Sequence, residues 1–167
     1  MVNKKILALA IIGIVALSGG LTAALLYFLE PLQISIKDAP YDDLVSINVE
    51  ISAIEIHNLD EARWIPLMQG NCTCNCSVSG EEEPIPNNDL VAGTYDTIRI
   101  KFNHIRLQYN NGTFGSVDKF QNHNMVQNFW LEIPITFEYD GVGGKILFDI
   151  TIDSNYEANV TIVEATP

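Results

Sequence analysis

Apolar and polar residues alternate over most of this chain, and that period of two restricts the possible folds more than any other feature. Leu32, Ile34 and Ile36 begin the pattern, and later runs repeat it at 45–53, 97–109, 131–139, 146–152 and 158–162. Successive side chains of a β-strand point to opposite faces, so each run predicts a strand with one buried face. No stretch after residue 30 has a convincing helical period. The sequence therefore predicts an all-β domain of about eight strands.

Turn signals separate these runs and suggest how the strands are connected. Proline and aspartates predict a loop at 38–43, Asn110-Asn111-Gly112 predicts a tight turn, and a glycine-rich stretch at 140–144 predicts another. The apolar phase slips by one residue near Ala53, which predicts a β-bulge. We expect only a short strand at 64–68, followed by a long surface loop over 69–88. An antiparallel β-sandwich, immunoglobulin-like or jelly-roll, accommodates these strands, with Tyr95 at the position of a tyrosine corner.

The first 29 residues form a separate hydrophobic segment. Residues 6–29 contain no charged side chain, and Lys4 and Lys5 precede them. As a helix, 24 residues would be roughly 36 Å long, enough to cross a bilayer, and the preceding lysines keep the N-terminus in the cytoplasm. The alternative is a signal peptide cleaved after Ala16-Leu17-Ser18. Both alternatives export the domain at 30–167, so we expect it to be extracytoplasmic, either membrane-anchored or secreted.

The exported part is strongly acidic. All 21 acidic residues but only seven of the nine basic ones lie from Glu30 onward, which gives this part a net charge of −14. Such a surface repels phosphate backbones, so nucleic acid is excluded as a main partner. Divalent cations are attracted to it. We expect partners to be other copies of the chain or other surface and membrane proteins, with membrane contact through residues 6–29 if they are not removed.

All three cysteines lie within the stretch NCTCNCS at 71–77. In an extended segment Cys72, Cys74 and Cys76 share one face, and three thiolates on one face suit a soft metal such as Cu(I) or Zn(II). Export favours oxidation, and an odd number of cysteines leaves one for another chain. Free thiols are the third alternative. We expect a solvent-facing loop in which the sulfur chemistry matters little to the fold.

Two other kinds of site are predicted from local patterns. Four N-x-S/T sequences make glycosylation acceptors of Asn71, Asn75, Asn111 and Asn159. Carboxylate oxygens are the ligands that Ca²⁺ prefers, so calcium is the one cofactor considered, at Asp38, Asp42, Asp43 and Glu82. The spacing does not match an EF-hand loop, and the competing interpretation is that Asp38 caps its own turn.

No motif for catalysis is present. The sequence contains no G-x-S-x-G, no H-E-x-x-H and no phosphate-binding loop. His57 and His104 lie at a strand end and a phase change, where a structural role is expected, and Asp149 and Asp153 are expected at the surface or in a turn. We therefore predict that the chain is not an enzyme.

Four segments resemble one family of surface domains. They are ISIKDAP at 34–40, VEISAIEIH at 49–57 with the following Trp64, DLVAGTYDTIRI at 89–100, and ILFDITIDS at 146–154. The chain resembles a domain-of-unknown-function family found in archaeal and bacterial surface proteins and lipoproteins. The resemblance covers most of 32–155 and implies a β-sandwich and export, without catalytic residues. Its lipoprotein members carry a cysteine for lipid attachment, which this chain lacks near Gly19, so anchoring would use the helix itself.

The layout is also similar to that of archaeal cannula-type filament and tube subunits, in which a short hydrophobic leader precedes a β-sandwich. From these observations we expect a non-catalytic structural protein of the cell surface, a filament or tube subunit that assembles by β-strand addition through its N-terminal segment. Two alternatives stay open. One is a membrane-anchored accessory subunit of a larger complex, and the other is a surface domain that binds metal or carbohydrate.

Overall fold

The computed structural model of the 167-residue chain describes residues 31–38, 43–77, 79–121 and 129–167. They belong to one compact unit, Pro31–Pro167. Within these ranges every regular element is a β-strand, and no helix there is long and apolar enough to cross a membrane. The predicted membrane segment at 6–29 and Asp42 of the predicted calcium site lie outside the described residues.

Ten strands make up the described part of the chain. They are β1 Gln33–Asp38, β2 Leu44–Asn58, β3 Arg63–Ser77, β4 Glu83–Ile85, β5 Gly93–Tyr109, β6 Phe114–Ser116, β7 Lys119–Phe120, β8 Phe129–Tyr139, β9 Lys145–Ile152 and β10 Glu157–Thr166. Three of them, β4, β6 and β7, match no predicted strand, because two or three residues are too few to show alternation.

The strands form two sheets that pack face to face, which confirms the predicted β-sandwich. In the antiparallel sheet the order is β3-β2-β5, and the far side of β5 pairs with β8 along its first half and with β6 along its second. The mixed sheet has the order β4-β1-β9-β10-β7. Its pairs β1–β9 and β7–β10 are parallel. Parallel neighbours need a long connection, and for β1 and β9 the antiparallel sheet supplies it.

The inward residues of both sheets form one apolar core. Ile36 and Phe148 from the mixed sheet, and Ile51, Ile100 and Phe102 from the antiparallel sheet, are fully buried. The Phe102 ring lies 5.0 Å from the Phe120 ring, centroid to centroid. Burying such side chains contributes about 1.5–3 kcal/mol each, and this burial is what holds the two layers together.

The strand predicted at 64–68 is present but longer than expected, and the loop predicted over 69–88 is wrong at 69–77 and 83–85, which are strands. Strand β3 continues to Ser77 and pairs with β2 throughout, placing Cys72, Cys74 and Cys76 opposite Ile51, Val49 and Ile47. The physical reason is that a thiol packs as a small hydrophobic group. Counted in that way, NCTCNCS alternates with a period of two like the other strands, and it does not signal a loop.

Several local predictions are confirmed. Register shifts in both neighbours of β2 place a β-bulge between Ile51 and Ala53. Residues 110–112 form a turn in which Gly112 has φ +80°, a conformation that favours glycine. The buried Tyr95 donates a hydrogen bond from its hydroxyl to the carbonyl of Val91 at 2.6 Å, four residues upstream, as in a tyrosine corner.

Candidate functional site

The three cysteines are part of the core. Cys74 and Cys76 have no exposed surface, Cys72 is half-buried, and all three are free, with 3.7 Å between the sulfurs of Cys72 and Cys74. The predicted solvent-facing loop is therefore wrong. Burial, with Asp38 and Glu83 nearby, raises the pKa of the Cys76 thiol to about 12, and burial also raises the pKa of Cys74. Both thiols stay protonated at neutral pH, which disfavours thiolate chemistry here.

Asp38 is 1% exposed, and among the described residues neither of its carboxylate oxygens has a hydrogen-bond partner. The turn that Asp38 was expected to cap, at 39–42, lies outside the described residues. Burial, reinforced by Asp149, raises the pKa of this carboxyl to about 7. One oxygen of Asp149, which was expected at the surface, is also buried without a partner. In contrast, Asp153 holds its turn as expected, accepting hydrogen bonds from the backbone N–H groups of Asn155 and Glu157.

The described members of the predicted calcium set are not brought together. Asp38 is buried, Asp43 is exposed at the start of β2, and Glu82 accepts a hydrogen bond from Lys145 Nζ at 2.8 Å. No group of three or more His, Cys, Asp or Glu side chains among the described residues is arranged to hold a metal ion. Calcium binding and soft-metal binding stay predictions without an assembled site in this part of the chain.

The four glycosylation acceptors lie on strands or in a turn. Asn71 and Asn75 are exposed on β3, Asn111 is exposed in the turn after β5, and Asn159 is half-buried on β10. Asn71 and Asn75 are four positions apart on one strand, so their side chains lie on the same face of it, and both are exposed on that face. Their modification stays a prediction.

Both tryptophans of the chain lie on the outer face of the antiparallel sheet, stacked on one arginine. The guanidinium carbon of Arg99 is 4.0 Å from the Trp64 ring centroid and 4.5 Å from that of Trp130. Arg99 also donates to Glu55 Oε2, from Nε at 2.8 Å. His57 pairs with Asp96 and packs on Trp64. Each indole therefore has a face covered by Arg99, so this cluster rigidifies the sheet and leaves little aromatic surface for a ligand.

Among the described residues, the most exposed aromatic ring lies at the other end of the same sheet. Phe114 begins β6 and is 72% exposed. The preceding turn holds it firmly, because Tyr109 N–H donates to the Thr113 carbonyl at 3.0 Å, and Asn111 Oδ1 accepts from Thr113 N–H at 2.9 Å. An exposed phenyl ring does not contribute the free energy that its burial would add to stability. Exposed apolar surface on a rigid hairpin suits a contact with a ligand.

A groove of about 690 Å³ runs beside Phe114 on the outer face of the antiparallel sheet. We call it the outer groove. Its polar walls come from alternate residues of three paired strands, Ser46 and Asn48 on β2, Asn75 on β3, and His104, Arg106 and Gln108 on β5. Ser46 Oγ donates to Gln108 Oε1 at 3.2 Å, while the amides of Asn48 and Asn75 face the groove. None of the residues that line it is acidic.

A second concavity of about 550 Å³ lies against the same two residues of β6, Phe114 and Gly115, at the end of the sandwich. Tyr109 and Tyr156 line it, with their ring centroids 6.3 Å apart in an edge-on arrangement. A β-carbon added at Gly115 would lie 3.0 Å from the Tyr109 hydroxyl, so a larger residue there would require this ring to shift. Phe114 thus stands between two concave surfaces with aromatic and amide walls.

The outer groove has the chemistry of a binding site for hydroxyl-rich ligands. Asn, Gln and Ser side chains each offer both a donor and an acceptor, as a sugar hydroxyl does. The face of an aromatic ring carries negative electrostatic potential, which attracts the polarised C–H groups of a sugar ring. Small-ligand sites commonly combine apolar surface with a few polar groups in a volume of this size.

Sequence reasoning missed every groove residue except Asn75. His104 was expected to be structural, and Ser46, Asn48, Arg106, Gln108 and Phe114 were not considered. Their proximity depends on the pairing of Ser46 with Gln108 and of Asn48 with Arg106, positions about 60 residues apart. One local signal existed: Phe114 follows a strong turn signal and has no apolar residue two positions away, so no buried face was available to it.

Comparison with known proteins identifies the family of this chain but does not identify an activity. The model of the DUF4382 family, described as a domain of unknown function, matches residues 31–163, and the chain belongs to that family. No curated protein matches. An NMR structure of a protein from Eubacterium rectale matches at 10% identity over 81% of this chain and 91% of the other, with a TM-score of 0.27. A superposition that loose supports no inference about this chain.

Proposed function

We propose that this member of the DUF4382 family is a non-catalytic domain of the extracytoplasmic cell surface that binds carbohydrate in the outer groove. One observation carries the proposal. The most exposed aromatic ring of the described chain, Phe114, borders a groove lined by Asn48, Asn75 and Gln108 on one rigid sheet face. The hydrophobic segment at 6–29 supports the surface location, since a segment of this kind exports the domain that it precedes.

Rigidity supports binding on this face. The groove walls lie on β2, β3 and β5, which pair with one another along most of their length, so the polar groups are held in place before a ligand arrives. Preorganised side chains lose little conformational entropy on binding, and this loss otherwise offsets much of the contact energy. Polar groups that already face solvent also need no rearrangement to meet sugar hydroxyls.

The test is glycan binding by the full-length chain, purified in a zwitterionic detergent because sugar-based detergents would compete. Phe114→Ala should weaken the affinity for any glycan bound by the wild type at least about tenfold, a free-energy loss of about 1.4 kcal/mol. Leu59→Ala is the matched control, since Leu59 is 48% exposed in the turn after β2, at the far end of the sheet. It should leave the affinity unchanged.

The acceptor sequence at Asn75 requires a further control. A glycan on Asn75 would fill the groove that its amide lines. Ser77→Ala removes the acceptor sequence and keeps the amide, so this variant should bind at least as well as the wild type made in a glycosylating host. Absence of binding to every glycan on a broad array, by both forms, would contradict the proposal.

A second candidate function is assembly by strand addition into a surface filament or tube, and the free edge of β3 favours it. Strand β3 ends the antiparallel sheet, and among the described residues no strand pairs with the outer side of 69–77. At its two ends, the Leu67 and Pro66 carbonyls accept hydrogen bonds from Asn88, and the Ser77 carbonyl accepts one from Gly80 N–H at 3.2 Å. An unpaired edge of this length is a template for a strand from another chain.

The N-terminal segment distinguishes assembly from anchoring as an accessory subunit. If residues 19–31 complete a neighbour's sheet, deleting them from the mature form should convert assemblies into soluble monomers. If the segment is an anchor, the native protein should begin at Met1 or Val2 and fractionate with membranes, and the same deletion should release a stable domain. N-terminal sequencing combined with sedimentation analysis separates the two outcomes.

A further inference from the structure

We infer that the outer groove selects saccharides that carry a carboxylate, such as uronic acids, and that Arg106 is the residue that recognises the acid group. This inference rests on the proposed function and specifies its ligand. The observation behind it is the position of an arginine that has no ion pair. Arg106 is exposed, lines the groove beside Phe114, and makes no ion pair with any described residue.

Arg106 is the one arginine without an ion pair among the described residues, although acidic residues outnumber basic ones three to one from Glu30 onward. Arg63 pairs with Glu61, and Arg99 pairs with Glu55 and Glu132. Lysines without an ion pair also occur, at positions 37, 101 and 119, but none of them lines the outer groove. Arg106 instead faces Asn48 across the strand pair and Ser116 on its other side. Its charge is therefore available to an anionic ligand.

The guanidinium group of Arg106 binds a carboxylate more strongly than a neutral hydrogen-bonding side chain does. Its planar N–H groups match the two oxygens of a carboxylate, and such charge-assisted pairs are about twice as strong as neutral hydrogen bonds. His104 lies two residues away on the same face and adds a ring nitrogen. Two acids lie next to residues of this region: Glu50 is opposite His104 on β2, and Asp118 accepts a hydrogen bond from Ser116 Oγ at 3.4 Å. Neither lines the groove.

The negative charge of the whole chain does not prevent this recognition. At physiological ionic strength exposed charges more than about 8 Å apart are largely screened. A ligand carboxylate in contact with Arg106 is therefore attracted by this arginine more strongly than it is repelled by distant acidic side chains.

The experiment compares matched pairs of saccharides. Oligomers of galacturonate, glucuronate and mannuronate are each tested beside their carboxyl-reduced counterparts, which keep the ring configuration and lose the charge. Calorimetry with the full-length chain in zwitterionic detergent gives the ratio of the two affinities. We expect at least one pair with a ratio of about ten or more in favour of the uronate. In Arg106→Gln that ratio should fall to within about twofold of one.

Two variants separate this inference from the proposed function. Phe114→Ala should weaken both members of a pair and leave their ratio unchanged. Lys119→Gln, which changes the net charge equally at an exposed position on β7, should leave the ratio at its wild-type value. If reduced and acidic forms bind equally, or if Arg106→Gln keeps the ratio, the inference is wrong while carbohydrate binding stands.

Two further results would count against it. A preference for sulfated glycans over uronates would overturn the assignment of a carboxylate. Failure of every acidic and neutral saccharide to bind would overturn both the inference and the proposed function.

Discussion

Asp38 is the residue whose side chain fits its surroundings least well. It ends β1 inside the sandwich, and neither of its oxygens has a hydrogen-bond partner in the described part of the chain. Burial together with Asp149 raises its pKa to about 7. Below pH 4 the carboxyl is protonated in both the folded and the unfolded chain. Between pH 4 and 7 only the unfolded chain loses the proton, so the free energy of unfolding falls as the pH rises.

Replacing Asp38 by asparagine should remove this pH dependence. Two pKa units correspond to about 3 kcal/mol, so between pH 5 and pH 8 the wild type should lose roughly that much more stability than Asp38→Asn. Urea unfolding at the two pH values measures the difference. Asp89→Asn, at an exposed position, is the control and should follow the wild type. Parallel profiles for wild type and Asp38→Asn would show that the carboxyl is not buried as described.

The cysteines make a second prediction at this scale. Because Cys74 and Cys76 are buried and their thiol pKa values are raised, they should react with a neutral thiol reagent at pH 8 only after unfolding. Cys74→Ser should destabilise the chain by about 1–3 kcal/mol, since it buries a hydroxyl without a partner, and Cys72→Ser by less. Rapid labelling of all three thiols in the folded chain would contradict this placement.

At the scale of the elements, the long strands β2, β3 and β5 organise the molecule. They were predictable where apolar residues alternate with polar ones, as along Ile47, Val49 and Ile51. The second half of β3 was missed because cysteine and asparagine resemble a loop in composition. The parallel pairing of β1 with β9 could not be predicted from the sequence either, because it joins segments more than 100 residues apart and no local pattern encodes it.

Arg99 tests whether cross-strand contacts on the outer face stabilise the antiparallel sheet. Arg99→Lys removes the planar group that stacks between Trp64 and Trp130 and binds Glu55 through two nitrogens. We expect a loss of about 1–2 kcal/mol in the free energy of unfolding. Arg63→Lys makes the same change in an exposed ion pair and should cost less than about 0.5 kcal/mol. Equal effects of the two substitutions would contradict a structural role for the stack.

At the scale of the whole molecule, the fold class was predictable and the site was not. Alternation and turn residues are local, so they indicate strands and a sandwich. The outer groove depends on register, because a shift of β5 against β2 by one residue would turn Arg106 and Gln108 towards the core. The acidic composition predicts a surface that repels nucleic acid, which stays a prediction, and no acidic residue lines the outer groove.

The most direct measurement of the central claim is an NMR titration of the full-length chain with a bound saccharide, observing side-chain amide groups. The NH₂ signals of Asn48, Asn75 and Gln108 should shift together and saturate at one affinity, because these three amides line the groove. The NH₂ signals of Asn87 and Asn88, which donate to backbone carbonyls away from it, should stay in place. Shifts centred on Trp64 and Trp130, or no shift of the three groove amides at saturation, would contradict carbohydrate binding beside Phe114.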